Sequence, residues 1–346
     1  MLRVGVIGTG FGVQVQIPAF QSVPRARVVA VASRTPGKAA QVASRFGIPQ
    51  AFDRWEALIE ADLDLVSITP QPLWHRPMSS LAVAHRRHVL CEKPMAVNAG
   101  EAAQMLAEAE AAGVVHVIDH ELRFNPNRRR IKRLIEDGFI GRPRHALITV
   151  VSDVRADPAG PWTWWSDAAQ GGGVLGAQGS HQIDLLRYWL GDVTAVGGAA
   201  ETFIGERPDG GGLRPVTAED FAVVSLRFAG GAVGTVLLSV VAATSRGPRI
   251  EVWGDEGSLL LDDERLWGAR RSGAWRELTE PETLPVPPGM DYAPLWGLSF
   301  VRLAQHLTEV LLDGAPLAPA ATYRDGLATQ RVLDAVRTAG ASWQAL

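Results

Sequence analysis

The 346-residue sequence has a single cysteine, Cys91. One thiol allows neither an intrachain disulfide framework nor a cage of thiolate metal ligands, and no metal-binding residues are predicted. Long apolar runs are also missing, since no stretch approaches the roughly 20 residues of a membrane-spanning helix. The chain reaches Gly8 within one predicted strand, so we expect no signal peptide. These absences favour a soluble cytoplasmic protein.

The sequence also has no large excess of positive or negative side chains. Lysine and arginine number 34 against 37 aspartate and glutamate, a net charge of -3, which favours neither a nucleic acid nor a membrane as partner. The one basic run, Arg128–Arg133, falls in a predicted helix, where a solvated face or a subunit contact is favoured over phosphate binding. Hydrophobic residues make up 47% and charged residues 21%, a globular composition, and the length favours two domains.

The first strand, Leu2–Ile7, runs into a glycine-rich turn and a predicted helix. The turn consists of Gly8, Thr9, Gly10, Phe11 and Gly12. Such a turn lets the backbone approach a pyrophosphate, whose charge is met by N–H groups at the helix start. The third glycine precedes the usual position, which Val13 occupies, and Pro18 is expected to kink or shorten the helix.

A second predicted strand, Val28–Ala32, leads into Ser33 and Arg34. These residues follow the glycines by about 20 positions, where a dinucleotide fold places its ribose-binding residue. An acidic residue there would favour NAD, and none is present. Ser33 can hydrogen-bond a 2′-phosphate and Arg34 can pair with it or stack on adenine, so the sequence favours NADP. An arginine that only closes a loop is the alternative.

Strands and helices then alternate, which is typical of βαβ units and a parallel sheet. Predicted strands cover 63–68, 88–91 and 114–118, and predicted helices cover 37–46, a segment ending near 86, and 101–112. Three loops therefore meet at the carboxyl edge of one sheet, where α/β proteins bind ligands: the glycine turn, Pro72–His75 and Glu92–Pro94.

Pro94 ends its strand because it lacks the N–H that a central ladder needs. Lys93 is thereby placed at the carboxyl end of the strand, where an ammonium can orient a carbonyl or hydroxyl, or shuttle a proton. The alternative is a surface pair of Glu92 and Lys93 beside a turn.

The second half begins with a predicted helix, Pro126–Glu136, and a strand, Arg144–Val154. Tryptophans cluster at Pro161–Trp165, where they can stack on a sugar ring or pack over a domain seam. A helix after Gly171–Gly173 carries His181, whose imidazole can move a proton near neutral pH or can be structural. Two hairpins are predicted at 223–239 and 250–261, final helices at 295–312 and 323–339, and loops at 205–217 and 277–292.

Together these segments resemble the Gfo/Idh/MocA family, named after glucose-fructose oxidoreductase and inositol dehydrogenase. The resemblance covers nearly the whole chain and is most specific in the combination of Glu92–Pro94 with Gly179–His181. The other matching segments are the glycine turn, Pro72 with His75, Cys91–Ala96, Gly171–Gly173, Gln182–Asp184, Gly254–Ser258 and Asp325–Leu327.

The resemblance implies an α/β fold with an N-terminal Rossmann domain, which is a doubly wound parallel sheet. A C-terminal α+β domain with a large, mainly antiparallel open sheet would follow. We assign residues 1–122 to dinucleotide binding and 123–346 to substrate binding and oligomerisation, with a homodimer or homotetramer formed through the open sheet. The implied reaction is hydride exchange between NADP, or NAD, and a secondary alcohol of a sugar, cyclitol or related compound.

Carried over to this sequence, Lys93 resembles the active-site lysine and His181 the acid/base histidine. The implied cofactor contacts are Gly8, Thr9, Gly10, Phe11, Gly12, Ser33, Arg34, Pro72, His75, Glu92 and Lys93. The implied substrate contacts are Lys93, Arg123, Trp164, Gln178 and His181.

One departure affects the expected chemistry. Ala177 stands where many family dehydrogenases have an aspartate one helical turn before the histidine. Either Lys93 and His181 suffice without it, or Gln178 or Asp184 contributes. Two alternatives therefore stay open. One is a lyase or glycosidase that oxidises its substrate transiently and retains its nicotinamide, and the other is a non-enzymatic dinucleotide sensor.

Overall fold

The computed structural model describes residues 1–339 and 343–345, and these form two compact units. The first unit comprises Met1–Asn125 and Thr283–Leu327, and the second comprises Pro126–Glu282 and the described residues after 327. The change of unit after residue 125 lies close to the predicted boundary at 122. Residues 283–327, which we had assigned to the C-terminal domain, group with the first unit instead.

The regular elements are numbered in chain order. The helices are α1 (Ile17–Ser22), α2 (Lys38–Phe46), α3 (Trp55–Glu60), α4 (His75–Ala84), α5 (Ala99–Ala112), α6 (Pro126–Glu136), α7 (Ser180–Leu190), α8 (Pro294–Asp313) and α9 (Tyr323–Ala339). The strands are β1 (Leu2–Ile7), β2 (Ala26–Ala32), β3 (Gln50–Phe52), β4 (Leu65–Ile68), β5 (His88–Cys91), β6 (His116–Ile118), β7 (Pro143–Val151), β8 (Val193–Glu201), β9 (Glu206–Pro208), β10 (Leu213–Pro215), β11 (Phe221–Phe228), β12 (Val233–Ser239), β13 (Gly247–Gly254), β14 (Gly257–Asp262), β15 (Arg265–Arg270), β16 (Arg276–Glu277) and β17 (Gln344–Ala345).

The first unit contains a six-stranded parallel sheet. Its strand order is β3-β2-β1-β4-β5-β6, so the chain reverses direction across the sheet between β1 and β4. This order is that of a doubly wound dinucleotide-binding sheet, which binds its ligand outside the carboxyl ends of the strands at the reversal. The predicted Rossmann sheet is confirmed, whereas β3 and α3, at three and six residues, were not predicted.

Helix α8 explains why residues 283–327 belong to the first unit. Phe300 of α8 is fully buried and meets Phe20 of α1 edge to face, with ring centroids 5.6 Å apart. Both rings lie in a core that also contains Val4 and Val6 of β1. A second core covers the other face of the sheet, so the strands are buried on both sides, as parallel sheets require.

The first helix of the chain is divided in two. Residues 12–16 form a π-helix, and α1 follows with Pro18 in its first turn. Pro18 has no N–H to donate to the carbonyl of Gln14, and that carbonyl instead accepts the N–H of Asp291 at 3.1 Å. The α-helical part is therefore short, as the proline predicted.

The second unit contains a nine-stranded sheet in the order β16-β15-β14-β13-β7-β12-β11-β8-β17. Neighbouring strands are antiparallel except for the parallel pair of β7 and β12. The predicted hairpins are present as β11–β12 and β13–β14, whereas β8 and β15 were not predicted. The prediction of a loop over 205–217 was wrong, because β9 and β10 pair there around a glycine-rich turn.

One face of this sheet is covered and the other is partly exposed. Every second residue of β11 is buried, starting at Ala222, while most residues between them are partly exposed. Helix α7 packs against β7 and β12, and α6 packs against α7. The predicted open sheet is thus confirmed. None of the helices in residues 1–339 is long and apolar enough to cross a membrane.

The basic run in α6 does not form a uniformly solvated face. Arg128 is only 1% exposed, and its Nη1 and Nη2 donate to the two carboxylate oxygens of Glu264 at 2.7 and 2.9 Å. This two-pronged ion pair binds both terminal nitrogens of the buried guanidinium. The prediction of a solvated face was therefore wrong at Arg128.

Candidate active site

The glycine turn after β1 is packed on one side and open on the other. Gly8 has φ +105°, and a Cβ there would clash with Thr69 Oγ1 beyond β4. A Cβ on Gly12 would lie 3.1 Å from the same oxygen. A Cβ on Gly10 would meet no atom within 4 Å. The open side at Gly10 therefore leaves room for a pyrophosphate to approach the backbone, which fits a dinucleotide.

The end of β2 offers a cation stacked on an aromatic ring. The Arg34 guanidinium lies 4.7 Å from the centroid of the Trp74 ring. Ser33 is buried, and its Oγ hydrogen-bonds Thr9 Oγ1 at 3.2 Å and accepts the N–H of Thr35 at 3.3 Å. Arg34 is therefore the more available of the two predicted ribose-binding residues.

His75 joins two loops at the carboxyl edge. Its Nδ1 lies 3.0 Å from the carbonyl oxygen of Pro94, and its Nε2 lies 2.9 Å from that of Pro70. Full burial lowers the pKa of His75 to about 4, so the ring is neutral at pH 7 and donates to one of the two carbonyls. His75 thus links the two loops, and its contact with the cofactor stays a prediction.

Lys93 follows β5 as predicted, and three buried carboxyls surround its turn. Glu92 precedes it, while Asp119 and Glu121 follow β6, the neighbouring parallel strand. Gln16 Nε2 donates to Glu92 Oε1 at 3.0 Å and to Asp119 Oδ2 at 3.1 Å. We call Glu92, Asp119 and Glu121 the carboxyl cluster.

Burial is the main cause that raises the pKa of each member of the carboxyl cluster. The pKa of Glu121 rises to about 8, and that of Asp119 lies well above its ordinary value. The positive charge of Lys93 acts in the opposite direction on all three. Glu121 is therefore protonated at neutral pH.

Sequence reasoning found Glu92 but missed the rest of this network. Gln16 Oε1 accepts the hydroxyl of Ser67 at 2.5 Å, and both side chains are fully buried. A signal for Asp119 and Glu121 was present, because both directly follow a predicted strand and the carboxyl ends of parallel strands meet at one edge. Gln16 had no such signal, since it lies within a helix.

Arg123 contacts other residues of the first unit. It is buried in the first unit, where its Nη2 donates to Asp325 Oδ1 at 3.1 Å and its Nη1 to the carbonyl of Pro319 at 3.4 Å. These contacts hold the guanidinium within the first unit, and its contact with a substrate stays a prediction.

The remaining first-unit candidates lie where the sequence placed them. Pro72 is buried and opens a short 3₁₀-helix after β4. Phe11 begins the glycine-turn helix and meets Tyr292 edge to face, with ring centroids 5.3 Å apart. The structure thus gathers the predicted cofactor residues around the carboxyl ends of β1, β2, β4 and β5.

The other substrate candidates lie in the second unit. Residues 175–179 form a π-helix that carries Gln178 and continues into α7, in whose first turn His181 is buried. π-Helical turns are rare and are frequent at functional sites, and the glycine turn of the first unit is followed by another. Trp164 is partly exposed, and its ring centroid lies 6.1 Å from that of Trp165.

The doubly wound sheet with an open glycine turn defines a dinucleotide-binding protein. Comparison with known proteins gives the family. Residues 2–120 match the oxidoreductase family with an NAD-binding Rossmann fold, and residues 128–260 match the GFO/IDH/MocA C-terminal domain. An uncharacterized oxidoreductase of Synechocystis sp. is 33% identical over 269 residues, which cover 77% of this chain and 72% of the relative. The chain therefore belongs to the Gfo/Idh/MocA family of NAD-binding oxidoreductases.

Levoglucosan dehydrogenase of Pseudarthrobacter phenanthrenivorans is also similar. It is 28% identical over 383 aligned positions, which cover 99% of this chain and 97% of the relative. A structure of levoglucosan dehydrogenase in complex with NADH and L-sorbose matches with a TM-score of 0.90 over 99% of this chain and 98% of the other, at 28% identity. An oxidoreductase domain protein from Kribbella flavida matches with the same TM-score and coverage at 30% identity.

Proposed function

We propose that the protein is a dehydrogenase or reductase that transfers a hydride between a nicotinamide dinucleotide and a secondary alcohol or ketone. The substrate class is a sugar, a cyclitol or a related compound. The observation that carries the proposal is Lys93 directly after β5, at the ligand-binding edge of a doubly wound sheet and beside the carboxyl cluster. The similarity to levoglucosan dehydrogenase, whose complexes contain NADH and L-sorbose or levoglucosan, supports the substrate class.

The glycine turn would hold the pyrophosphate. Its backbone is open at Gly10, and the helix that begins at Gly12 presents N–H groups and a positive dipole end to an anion. Bound at this edge, the nicotinamide would supply the hydride acceptor or donor of the reaction.

Lys93 and His181 would act on the substrate hydroxyl as the orienting group and the acid/base. The ammonium of Lys93 would orient and polarise the oxygen, and the imidazole of His181 would take the hydroxyl proton during oxidation and return it during reduction. The two roles can also be exchanged. A positioned acid/base group contributes roughly 10²–10⁴-fold to a rate, so each side chain is expected to matter for turnover.

We further propose a preference for NADP. The six residues 33–38 contain Arg34 and Lys38 and no acidic side chain that would repel a 2′-phosphate. Because the Ser33 hydroxyl is already bonded within the protein, the preference depends mainly on the Arg34 guanidinium.

The first experiment titrates the purified protein with NADPH and NADH and follows the fluorescence of the reduced nicotinamide. A panel of sugars, cyclitols and anhydrosugars, including levoglucosan, is then assayed with the tighter cofactor by absorbance. We expect tighter NADPH binding and turnover of at least one alcohol or ketone. Binding without turnover of any compound would favour a dinucleotide sensor. A copurifying cofactor that never accumulates as reduced product would favour the lyase or glycosidase.

We also propose that the partly exposed face of the nine-stranded sheet joins subunits into a homodimer or homotetramer. The partly exposed positions that alternate along β11 and β12 support this assembly, because such a face gains from being covered. Light scattering at several protein concentrations would test it, and a monomer at every concentration would contradict it.

A further inference from the structure

The carboxyl cluster contains a contact that two ionised groups cannot make. Asp119 Oδ2 accepts one N–H of Gln16, and Glu92 Oε1 accepts the other. Asp119 Oδ1 is buried and receives no hydrogen-bond donor within residues 1–339 and 343–345. The same amide nitrogen of Gln16 thus joins the two carboxyls, and a side-chain hydrogen bond between Glu92 and Asp119 lowers the pKa of Glu92 and raises that of Asp119. Because ionised carboxylates only accept hydrogen bonds, one of the pair must carry a proton.

The surroundings decide which carboxyl carries it. Glu92 accepts the backbone N–H of Lys93 at 3.3 Å and is stabilised as an anion by the charge of Lys93. Asp119 is 0% exposed, and burial together with the negative charge of Glu92 raises its pKa, while Glu121 beside it is itself protonated at neutral pH. The proton therefore belongs on Asp119, whose O–H donates a hydrogen bond to the ionised carboxylate of Glu92.

We propose that Asp119 is a positioning residue of the lysine site, a neutral acid that donates to Glu92 and thereby holds Glu92 as the ionised partner of Lys93. This inference rests on the proposed function, in which Lys93 orients the substrate oxygen. With the proton in place, the ammonium lies beside one fixed carboxylate. Without it, a second negative charge competes for the ammonium and draws it away from the substrate.

The arrangement depends on pH in a defined direction. Every acid near the pair gains negative charge as the pH rises, so the pKa of Asp119 stays well above its ordinary value and the proton is lost only as the pH rises far beyond that value. Gln16 and Ser67, from the glycine-turn helix and β4, are uncharged. The ionisable and charged groups around the pair are Cys91, Glu92 and Lys93 at the end of β5, His120 and Glu121 after β6, Tyr292 before α8, and, beside Lys93, His75 of α4.

Two substitutions of Asp119 test whether the site needs a neutral hydrogen-bond donor or an ionised carboxylate at this position. Asp119→Asn keeps an N–H for Glu92 and an oxygen for Gln16, and so imitates the protonated acid. Asp119→Leu has the same branched skeleton but neither group. Asp53→Asn, at an exposed carboxyl of the same unit, is the control for charge removal alone.

We expect Asp119→Asn to keep kcat within about threefold of the wild type and to remove the alkaline fall of kcat. Asp119→Leu should lower kcat by roughly 10-fold to 100-fold, the usual effect of losing a hydrogen bond to a charged group, with cofactor Kd within about threefold. A loss in the Asn variant as large as in the Leu variant would show that an ionised carboxylate is needed, and would overturn the proposal.

A second measurement needs no substrate and so separates this proposal from the proposed function. In urea unfolding measured from pH 6 to pH 9, the wild type should lose unfolding free energy relative to Asp119→Asn as the pH rises, because only the wild type holds in its folded state a proton that its unfolded chain has released. Parallel curves would refute the proton on Asp119, even in an active enzyme. Diverging curves in a protein that oxidises no alcohol would keep the proton on Asp119 but reject both the proposed function and the positioning role.

Discussion

Replacing Glu121 with glutamine is expected to make the protein more stable at alkaline pH than the wild type. Glu121 is 1% exposed, and burial with the nearby charge of Glu92 raises the pKa of its carboxyl to about 8 in the folded protein. Glutamine has nearly the same shape and cannot ionise. The Glu121→Gln variant therefore keeps the neutral form that the wild type loses as the pH rises.

The size of the effect follows from proton linkage. In the unfolded chain the Glu121 carboxyl has its ordinary pKa of 4.5, so the folded state binds more protons than the unfolded state between pH 4.5 and about 8. The stabilisation that this extra proton gives to the folded state is fully present below pH 4.5. It is lost as the pH rises through about 8. Between pH 5 and pH 8 the wild type should lose roughly 3–4 kcal/mol of unfolding free energy relative to Glu121→Gln.

Urea unfolding followed by circular dichroism at pH 5, 6, 7 and 8 measures this difference directly. Glu60→Gln, at an exposed carboxyl of α3, controls for the removal of charge alone. If the difference between Glu121→Gln and the wild type is the same at all four pH values, Glu121 does not carry a proton in the folded protein, and the assignment of protons to the cluster is wrong.

Three further changes test the cofactor site. Gly10→Val should weaken NADPH binding about tenfold or more without lowering Tm, because its side chain enters the open space at the glycine turn; unchanged binding would place the pyrophosphate elsewhere. Gly8→Ala should lower the unfolding free energy by about 1–3 kcal/mol, since φ is +105° and the space is filled, and full stability would contradict that packing. Arg34→Ala should raise the Kd of NADPH roughly tenfold and leave that of NADH nearly unchanged, with Arg45→Ala as the control; equal losses for both cofactors would disprove a 2′-phosphate contact.

Local patterns predicted the elements that carry the site. Pro94 cannot continue a strand, so the end of β5 and the place of Lys93 followed from the sequence. Helix α2 ends at Phe46, before Gly47 with φ 65°, as predicted, whereas α5 begins at Ala99, two residues before its predicted start, after Asn98, whose side chain accepts the N–H of Glu101 at 2.9 Å. These capping signals act between neighbours in the chain, and the predicted bounds were close to those observed.

Distant contacts could not be predicted in this way. An amphipathic pattern shows that α8 has a buried face but not which sheet covers it, so residues 283–327 were assigned to the other half of the chain. Arg128 looks like its basic neighbours until its pairing with Glu264, 136 positions away, is known. Gln16 and Asp119 are 103 positions apart, and their contact depends on the sheet that brings β1, β5 and β6 together.

The central claim is that Lys93 acts on the substrate and not only on the fold. Lys93→Met keeps the apolar stem and removes the ammonium, and Lys132→Met in α6 is the matched control. With the best substrate of the panel, we predict that Lys93→Met lowers kcat roughly 10²–10⁴-fold while the Kd of NADPH stays within about threefold. Turnover equal to that of the wild type would contradict the account.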